Sequence, residues 1–229
     1  MNAHNPQLLA TGIFTIPEAA ELVSASQRAL RVWVEGRKGK QEPVINNQIG
    51  RIGRTVAVSF TNLIELRFVA KFVSAGVRLN EIRAIMEEVK DMLHHPHPFA
   101  TKTVFRTDRK KIVAQIARKN GVTVLYDLKT KNYEMHVVVL SSLEENVIWD
   151  PDGGAVAWYP RPATAPHVIV HPSHSFGRPI LFDSKIPTET IAQAVKAEGS
   201  AGTVAQLFGV PERQVREAVA FQQHLRQAA

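Results

Sequence analysis

Two helix starts lie close together near the beginning of this chain, leaving room between them for a short helix and a tight turn. The first is Thr15-Ile16-Pro17-Glu18. The Thr15 hydroxyl can accept from an orphan amide of the first turn while Glu18 reaches back to the Thr15 amide. Pro17 falls in that turn, where a missing N–H costs nothing. Ala19, Ala20 and Leu22 supply a small apolar face, and Val23-Ser24-Ala25 forms the break. Ser26 is then a good N-cap for a second helix. In that helix Ala29, Leu30 and Trp33 recur three and four residues apart and face inward, which leaves Gln27, Arg28 and Arg31 outward. From Thr15 to Val34 this pattern fits a helix-turn-helix. Its second helix would enter the major groove of double-stranded DNA, with its first amides and arginines meeting phosphates and base edges. An ordinary helical hairpin is the alternative.

The charge here, taken alone, fits a solvated, glycine-rich basic loop as well as a nucleic-acid contact, and the helix pattern beginning at Thr15 favours the contact. Arg28, Arg31, Arg37, Lys38, Lys40, Arg51 and Arg54 are opposed over that stretch only by Glu35 and Glu42, in a chain of net charge +7. Val44-Ile45 and Val56 with Val58 read as two strands around a turn-rich tip, Asn46 to Gly53, which predicts a β-hairpin wing. Such a wing carries Lys38, Lys40, Arg51 and Arg54 to the DNA backbone, where they add affinity and salt dependence more than sequence choice; Arg37, ahead of it, is a fifth basic candidate. The candidate DNA-contacting residues are these five together with Thr15, Ser26, Gln27, Arg28 and Arg31. Two amphipathic helices follow, Phe60 to Ala75 and about Leu79 to Leu93, with Gly76 as a C-cap glycine between them. The first has a broad stripe, Phe60, Leu63, Ile64, Leu66, Phe68, Val69, Phe72 and Val73, wide enough to leave some for a partner helix.

His94-His95-Pro96-His97-Pro98 reads as a solvated linker; paired prolines oppose a helical metal-ligand pair, and no metal is expected. Beyond it, Val104-Phe105, Ile112-Val113, Val122 to Leu128 and Tyr133 to Leu140 are β-prone, with a helix over Lys110 to Arg118 as an alternative. Val147-Ile148-Trp149 and Ala155 to Tyr159 flank Asp152-Gly153-Gly154, a strong hairpin signal. The middle section therefore reads as a small antiparallel sheet, a scaffold or a dimerising element. After a proline-bearing linker, Pro162 to Pro166, short strands are expected at Val168 to Val170 and Pro179 to Phe182. Helices are expected from Pro187-Thr188 to about Ala197, from Ser200 with Val204, Ala205 and Leu207 apolar, and from Pro211 to Gln227. The last helix offers Val215, Ala218, Val219 and Phe221 to a core. This trihelical unit, itself like a helix-turn-helix, serves as readily for protein binding as for DNA.

The fold class expected is α+β, in three parts: residues 1–95 a winged helix-turn-helix, 96–161 a small antiparallel sheet, 162–229 a trihelical module. The 229 residues, 45% of them apolar, suffice for a packed core. No apolar run approaches the ~20 residues that span a bilayer, and the start does not read as a signal peptide. The absence of cysteine excludes disulfides, cysteine zinc fingers and thiol redox chemistry. A cytoplasmic protein is expected. No Walker motif or nucleophile elbow occurs, and Asp108, Asp127, Asp150 and Asp152 match no catalytic spacing, so neither an enzyme nor a cofactor is expected.

These residues also carry a resemblance. The segment from Thr15 to Trp33, the wing, and the run from Ser59 to Val89 resemble the MerR-type winged helix-turn-helix. Leu30-Arg31-Val32-Trp33 matches the leucine-arginine-aromatic-aromatic end of that recognition helix, with Val32 departing at the first aromatic. Gly76-Val77-Arg78-Leu79-Asn80-Glu81-Ile82-Arg83 matches its later helix pair. The resemblance implies DNA contact by Arg31; the long coiled coil and sensor cysteines of ordinary members are missing. His171-Pro172, Ser175-Phe176-Gly177-Arg178-Pro179, Ile186-Pro187-Thr188, and Gly199-Ser200 leading into Val204 to Val210 resemble the bacterial domain-of-unknown-function 433 group. Together the two halves resemble VapB-like antitoxins of type II toxin–antitoxin pairs. That implies autorepression of a shared operon and a partner toxin with a PIN-like ribonuclease fold; the expected mode of binding is a homodimer on a palindromic operator. A dedicated MerR-like transcription factor with no toxin partner is the alternative.

Overall fold

The structure is a computed structural model and describes residues 11–37, 39, 41–102 and 144–227. It is of mixed α+β class, with small antiparallel sheets. The chain divides into two compact units built from interleaved segments. One gathers residues up to Gln27, Ile49–Phe60 and Val156 onward; the other gathers Arg28–Gln48 and Thr61–Ala155.

In the first unit, β1 (Phe14–Thr15) leads directly into α1 (Ile16–Val23). Thr15 caps this helix as its sequence predicts. Its amide donates to Glu18 Oε2 at 2.8 Å, and its hydroxyl accepts from the Glu18 amide at 3.5 Å. The helix ends on Ser24 in the left-handed region, whose N–H returns to the carbonyls of Ala20 and Glu21. The hairpin of β2 (Gly50–Ile52) and β3 (Thr55–Val58) joins β1 in a three-stranded sheet of order β1-β3-β2. Arg51 stands opposite Val56, and Phe14 opposite Val58. The last part of the chain supplies β6 (Val168–Ile169) and β7 (Ile180–Leu181), paired antiparallel, and three helices, α5 (Thr188–Glu198), α6 (Ala201–Phe208) and α7 (Glu212–Gln227). Ser200 caps α6 by accepting from the Thr203 amide. α7 packs against α5, α6, β6 and α1. Ile191, Val204, Val215, Ala218 and Phe221 are buried among these elements.

The second unit contains α2 (Gln27–Glu35) from Arg28 on, α3 (Phe60–Ser74) from Thr61 on, α4 (Leu79–Leu93), a short 3-10 turn at Pro98–Ala100 and β4 (Val147–Trp149); β5 (Ala155–Trp158) follows at its edge. Between β4 and β5, the Asp150 amide donates to the Gly154 carbonyl and the Gly154 amide to Asp150 Oδ1, which closes the turn expected at Asp152-Gly153-Gly154. Gly76 ends α3 at φ 84°, with the Val77 amide returning to Phe72.

α3 is buried nearly all round, beyond the apolar stripe. Asn62, Glu65 and Arg67 are buried with Leu63, Leu66, Phe68 and Phe72, whereas Val73, at the end of the apolar stripe, is 40% exposed. A polar chain explains this. Asn62 accepts from the Gln48 amide (2.9 Å) and donates to the Asn46 carbonyl (2.8 Å). It reaches Glu65, and Glu65 Oε2 lies 3.0 Å from His97 Nδ1. Arg67 donates to the Glu145 carbonyl at 3.1 Å, and its burial pushes its pKa down to about 10.

Several sequence expectations need correction. The first strand of the hairpin is Gly50–Ile52, not Val44-Ile45; those two residues are buried and irregular. Their amides both point at the Trp33 carbonyl, so their apolar side chains serve the core below α2. The stretch from His97 to Pro98 is not a solvated linker. His97, Pro98, Phe99 and Ala100 are buried, and Phe99 stacks on Phe68 with ring centroids 3.6 Å apart. Leu207, read as an apolar position of its helix, is 66% exposed, and Val219 is only half-buried. The strands expected between Val104 and Leu140, the alternative helix at Lys110 to Arg118, and Lys38 and Lys40 lie outside the described residues.

The Glu65 carboxyl yields a test. Burial lifts its pKa above the ordinary carboxylate value of 4.5, against the hydrogen bond and charge of His97. Its other oxygen, Oε1, is buried with no hydrogen-bond partner among the described residues. A pKa raised by folding favours the folded state most below the unfolded value, and that stability is lost as pH rises through the folded value. Glu65→Gln keeps the shape and removes the titration. The stability difference between variant and wild type, from urea unfolding at a series of pH values, should therefore move in the variant's favour as pH rises above 4.5. A difference that does not vary with pH contradicts the assignment.

Candidate nucleic-acid interface

The segment that determines what α2 shows to solvent is its own periodicity. Leu30, Trp33 and Val34 are buried at 0%, 4% and 4% exposure. Ser26 just before the helix, and Gln27, Arg28 and Arg31 on it, are exposed. Buried and exposed positions alternate at the helical repeat, so one face is apolar and fixed while the other is polar, cationic and free of core duties. Burying Trp33 anchors the face, because a large aromatic side chain contributes much of the packing energy of so short a helix.

The chain after α2 is folded back onto it. The Val44 amide donates to the Trp33 carbonyl at 2.7 Å, and the Gly36 amide to the Val32 carbonyl at 3.0 Å. Arg37 and Gln41 exchange two backbone hydrogen bonds, of 2.8 and 2.9 Å, across a small loop. Gly36 makes the reversal feasible. Its φ is 73°, and a Cβ there would sit 2.4 Å from the Gln41 carbonyl oxygen. The next tie is Asn62, whose side chain holds Asn46 and Gln48.

The hairpin of β2 and β3 carries Arg51 on β2 and Arg54 in the two-residue connection Gly53-Arg54. All of Arg51 to Thr55 is exposed, including Ile52 at 54%. Arg37 is exposed too, in the loop after α2. Thr15 is half-buried, and its hydroxyl donates to Glu18 Oε2 at 2.7 Å, within the cap of α1.

The structure thus brings Gln27, Arg28 and Arg31 onto one helix face and Arg51 and Arg54 onto one hairpin. Sequence reasoning missed Asn62, whose side chain holds the connection after α2 at Asn46 and Gln48, and Glu65 and His97, which continue its hydrogen-bond chain. The available signal was two polar residues three apart, Asn62 and Glu65, inside an otherwise apolar helix. Neighbouring residues of α2 provide a direct check of its two faces. Leu30→Ala should cost about 2–5 kcal/mol of stability. Arg31→Gln should stay within about 0.5 kcal/mol. Chemical unfolding measures both, and a comparable loss from each would contradict the facing.

No family model matches the chain. It is 20% identical over 224 residues to a protein of Mycobacterium tuberculosis (strain H37Rv) that carries the provisional name antitoxin VapB45; the match covers 90% of this chain and 92% of that one. The fold is similar to the crystal structure of Rv2018 from Mycobacterium tuberculosis, with a TM-score of 0.72 at 18% identity, over 90% of this chain and 96% of that one. No helix among the described residues is long and apolar enough to cross a membrane.

Proposed function

We propose that this protein is a sequence-specific, double-stranded DNA-binding transcriptional regulator of winged helix-turn-helix type, acting as the autorepressing antitoxin of a toxin–antitoxin pair. The observation that carries the DNA-binding part is the exposed face Gln27, Arg28 and Arg31, set on a helix pinned from behind by Leu30, Trp33 and Val34. A capped helix and a left-handed turn precede it. In this reading α2 lies in the major groove, where arginine and glutamine pair bidentately with guanine and adenine edges. Ser26 and the first amides of α2 meet phosphate. Arg51 and Arg54 of the wing, and Arg37 beside α2, contact the backbone and add a salt-dependent, sequence-independent share of the affinity.

A homodimer on a palindromic operator places one α2 in each half-site. The antitoxin part rests on the likeness over nine-tenths of the chain to the VapB45 protein. The partner it implies is a toxin, taken here to have a PIN-like ribonuclease fold and to be encoded next to this gene. No enzymatic activity and no cofactor enter this proposal.

Two experiments test the two parts separately. A chromatin-immunoprecipitation map should place the protein on its own promoter, and co-expression with the neighbouring small gene product should give a stable complex. Occupancy of many unlinked promoters with no complex would replace the antitoxin by a dedicated transcription factor. In vitro, Arg51→Ala should weaken binding to all sequences alike and reduce the slope of log affinity against log salt by about 1. An unchanged slope removes the wing from the interface.

A further inference from the structure

The start of α4 carries polar residues that the DNA-binding proposal does not use. Arg78 and Glu81 serve the helix itself. The Arg78 amide donates to Glu81 Oε2 at 3.3 Å, and Arg78 Nε donates to Glu81 Oε1 at 2.8 Å. Asn80 and Arg83 reach further. Arg83 Nη1 donates to Asn80 Oδ1 at 2.9 Å, and Arg83 Nε donates to the Glu42 carbonyl at 3.0 Å. Glu42 lies 41 positions earlier, in the connection that follows α2, and both residues belong to the second unit.

The Glu42-Pro43 peptide is a sensitive place to hold, because it lies against the end of α2. A Cβ built on Gly36 would stand 3.0 Å from the Glu42 carbonyl carbon and 2.9 Å from the Pro43 nitrogen. Gly36 is itself tied to α2, its amide donating to the Val32 carbonyl at 3.0 Å. The next amide along the connection, that of Val44, donates to the Trp33 carbonyl at 2.7 Å. Pro43 has a fixed φ and biases the residue before it to extended backbone. With the peptide so confined, the Glu42 carbonyl and the last turn of α2 move together. A guanidinium that fixes the first restrains the second, and it does so from α4.

Arginine is a costly choice for this position. Arg83 is half-buried, and its Nη2 is buried with no hydrogen-bond partner among the described residues. An apolar side chain would fill the place without leaving a donor unmet. What arginine adds is a planar fork with donors at fixed angles, so that Asn80 on one nitrogen orients the bond made by another. Asn62 holds the same connection farther along, from α3. Two helices thus restrain α2 through one loop.

We propose that Arg83 is a positioning residue for DNA reading: it touches no DNA, and by holding the Glu42 carbonyl it sets the orientation in which α2 presents Gln27, Arg28 and Arg31. Asn80 orients Arg83. This rests on the reading of α2 as the DNA-contacting helix. Loss of Arg83 lowers discrimination between sequences, because base-edge contacts depend on geometry, whereas the long-range attraction of phosphates survives a small tilt.

The test uses the full-length protein and two readouts. Arg83→Met keeps the apolar stem and removes the donors. Amide hydrogen exchange followed by NMR should quicken roughly tenfold at Gly36 and Val44 in this variant, while amides in the middle of α4 exchange as in wild type. Asn80→Ala and Arg83→Lys should each give a smaller change at the same two amides. In fluorescence anisotropy, Arg83→Met should bind a duplex from upstream of the gene roughly tenfold more weakly. It should bind a scrambled duplex as wild type does, with the same salt slope. A salt slope reduced by about 1 on both duplexes would make Arg83 a phosphate contact and overturn the proposal. Wild-type exchange at Gly36 and Val44, or unchanged discrimination, would overturn it too. Arg31→Ala separates the two levels. If it also leaves the upstream duplex bound as in wild type, the reading of α2 is lost; if it weakens binding and Arg83→Met does not, only the role of Arg83 is lost.

Discussion

A buried amide at the start of α3 sits at the centre of the second unit. Asn62 is fully buried, and both of its functional ends are engaged with backbone of the connection that follows α2: the Gln48 amide on one side, the Asn46 carbonyl on the other. An irregular segment can be buried only if its peptide groups find partners, and here one side chain satisfies two of them. That allows Val44 and Ile45 to leave any strand and pack inward, with their amides directed at Trp33. Glu65 and His97 extend the same chain to the segment after α4. With the apolar side of α2 fixed in this way, its cationic side is left for other uses.

Much of this was legible in the sequence, and the reason is that short-range chemistry governed it. The capping box at Thr15 and Glu18, the break at Ser24, the full extent of α4, and the serine cap of α6 all depend on residues a few positions apart. Alternation on α2 separated Leu30 and Trp33 from Arg28 and Arg31 correctly, because a 3.6-residue period is a local property. Failures came where a long-range partner decides. Val44 and Ile45 have strong β propensity, yet Trp33 and the core below it claim them, and the strand forms instead at Gly50–Ile52. His97 looks like a loop histidine until Glu65, 32 residues away, is placed beside it. Leu207 follows the apolar period of α6 but meets solvent.

The central claim is that the outer face of α2 reads DNA, and one titration tests it most directly. Fluorescence anisotropy of a labelled duplex from upstream of the gene would compare wild type, Arg31→Ala, and Arg213→Ala as an exposed-arginine control on α7. Loss of Arg31 should cost about 1–3 kcal/mol of specific binding and narrow the gap to a scrambled duplex, while Arg213→Ala binds as wild type does. Equal affinity of Arg31→Ala and wild type for the specific duplex would contradict the account.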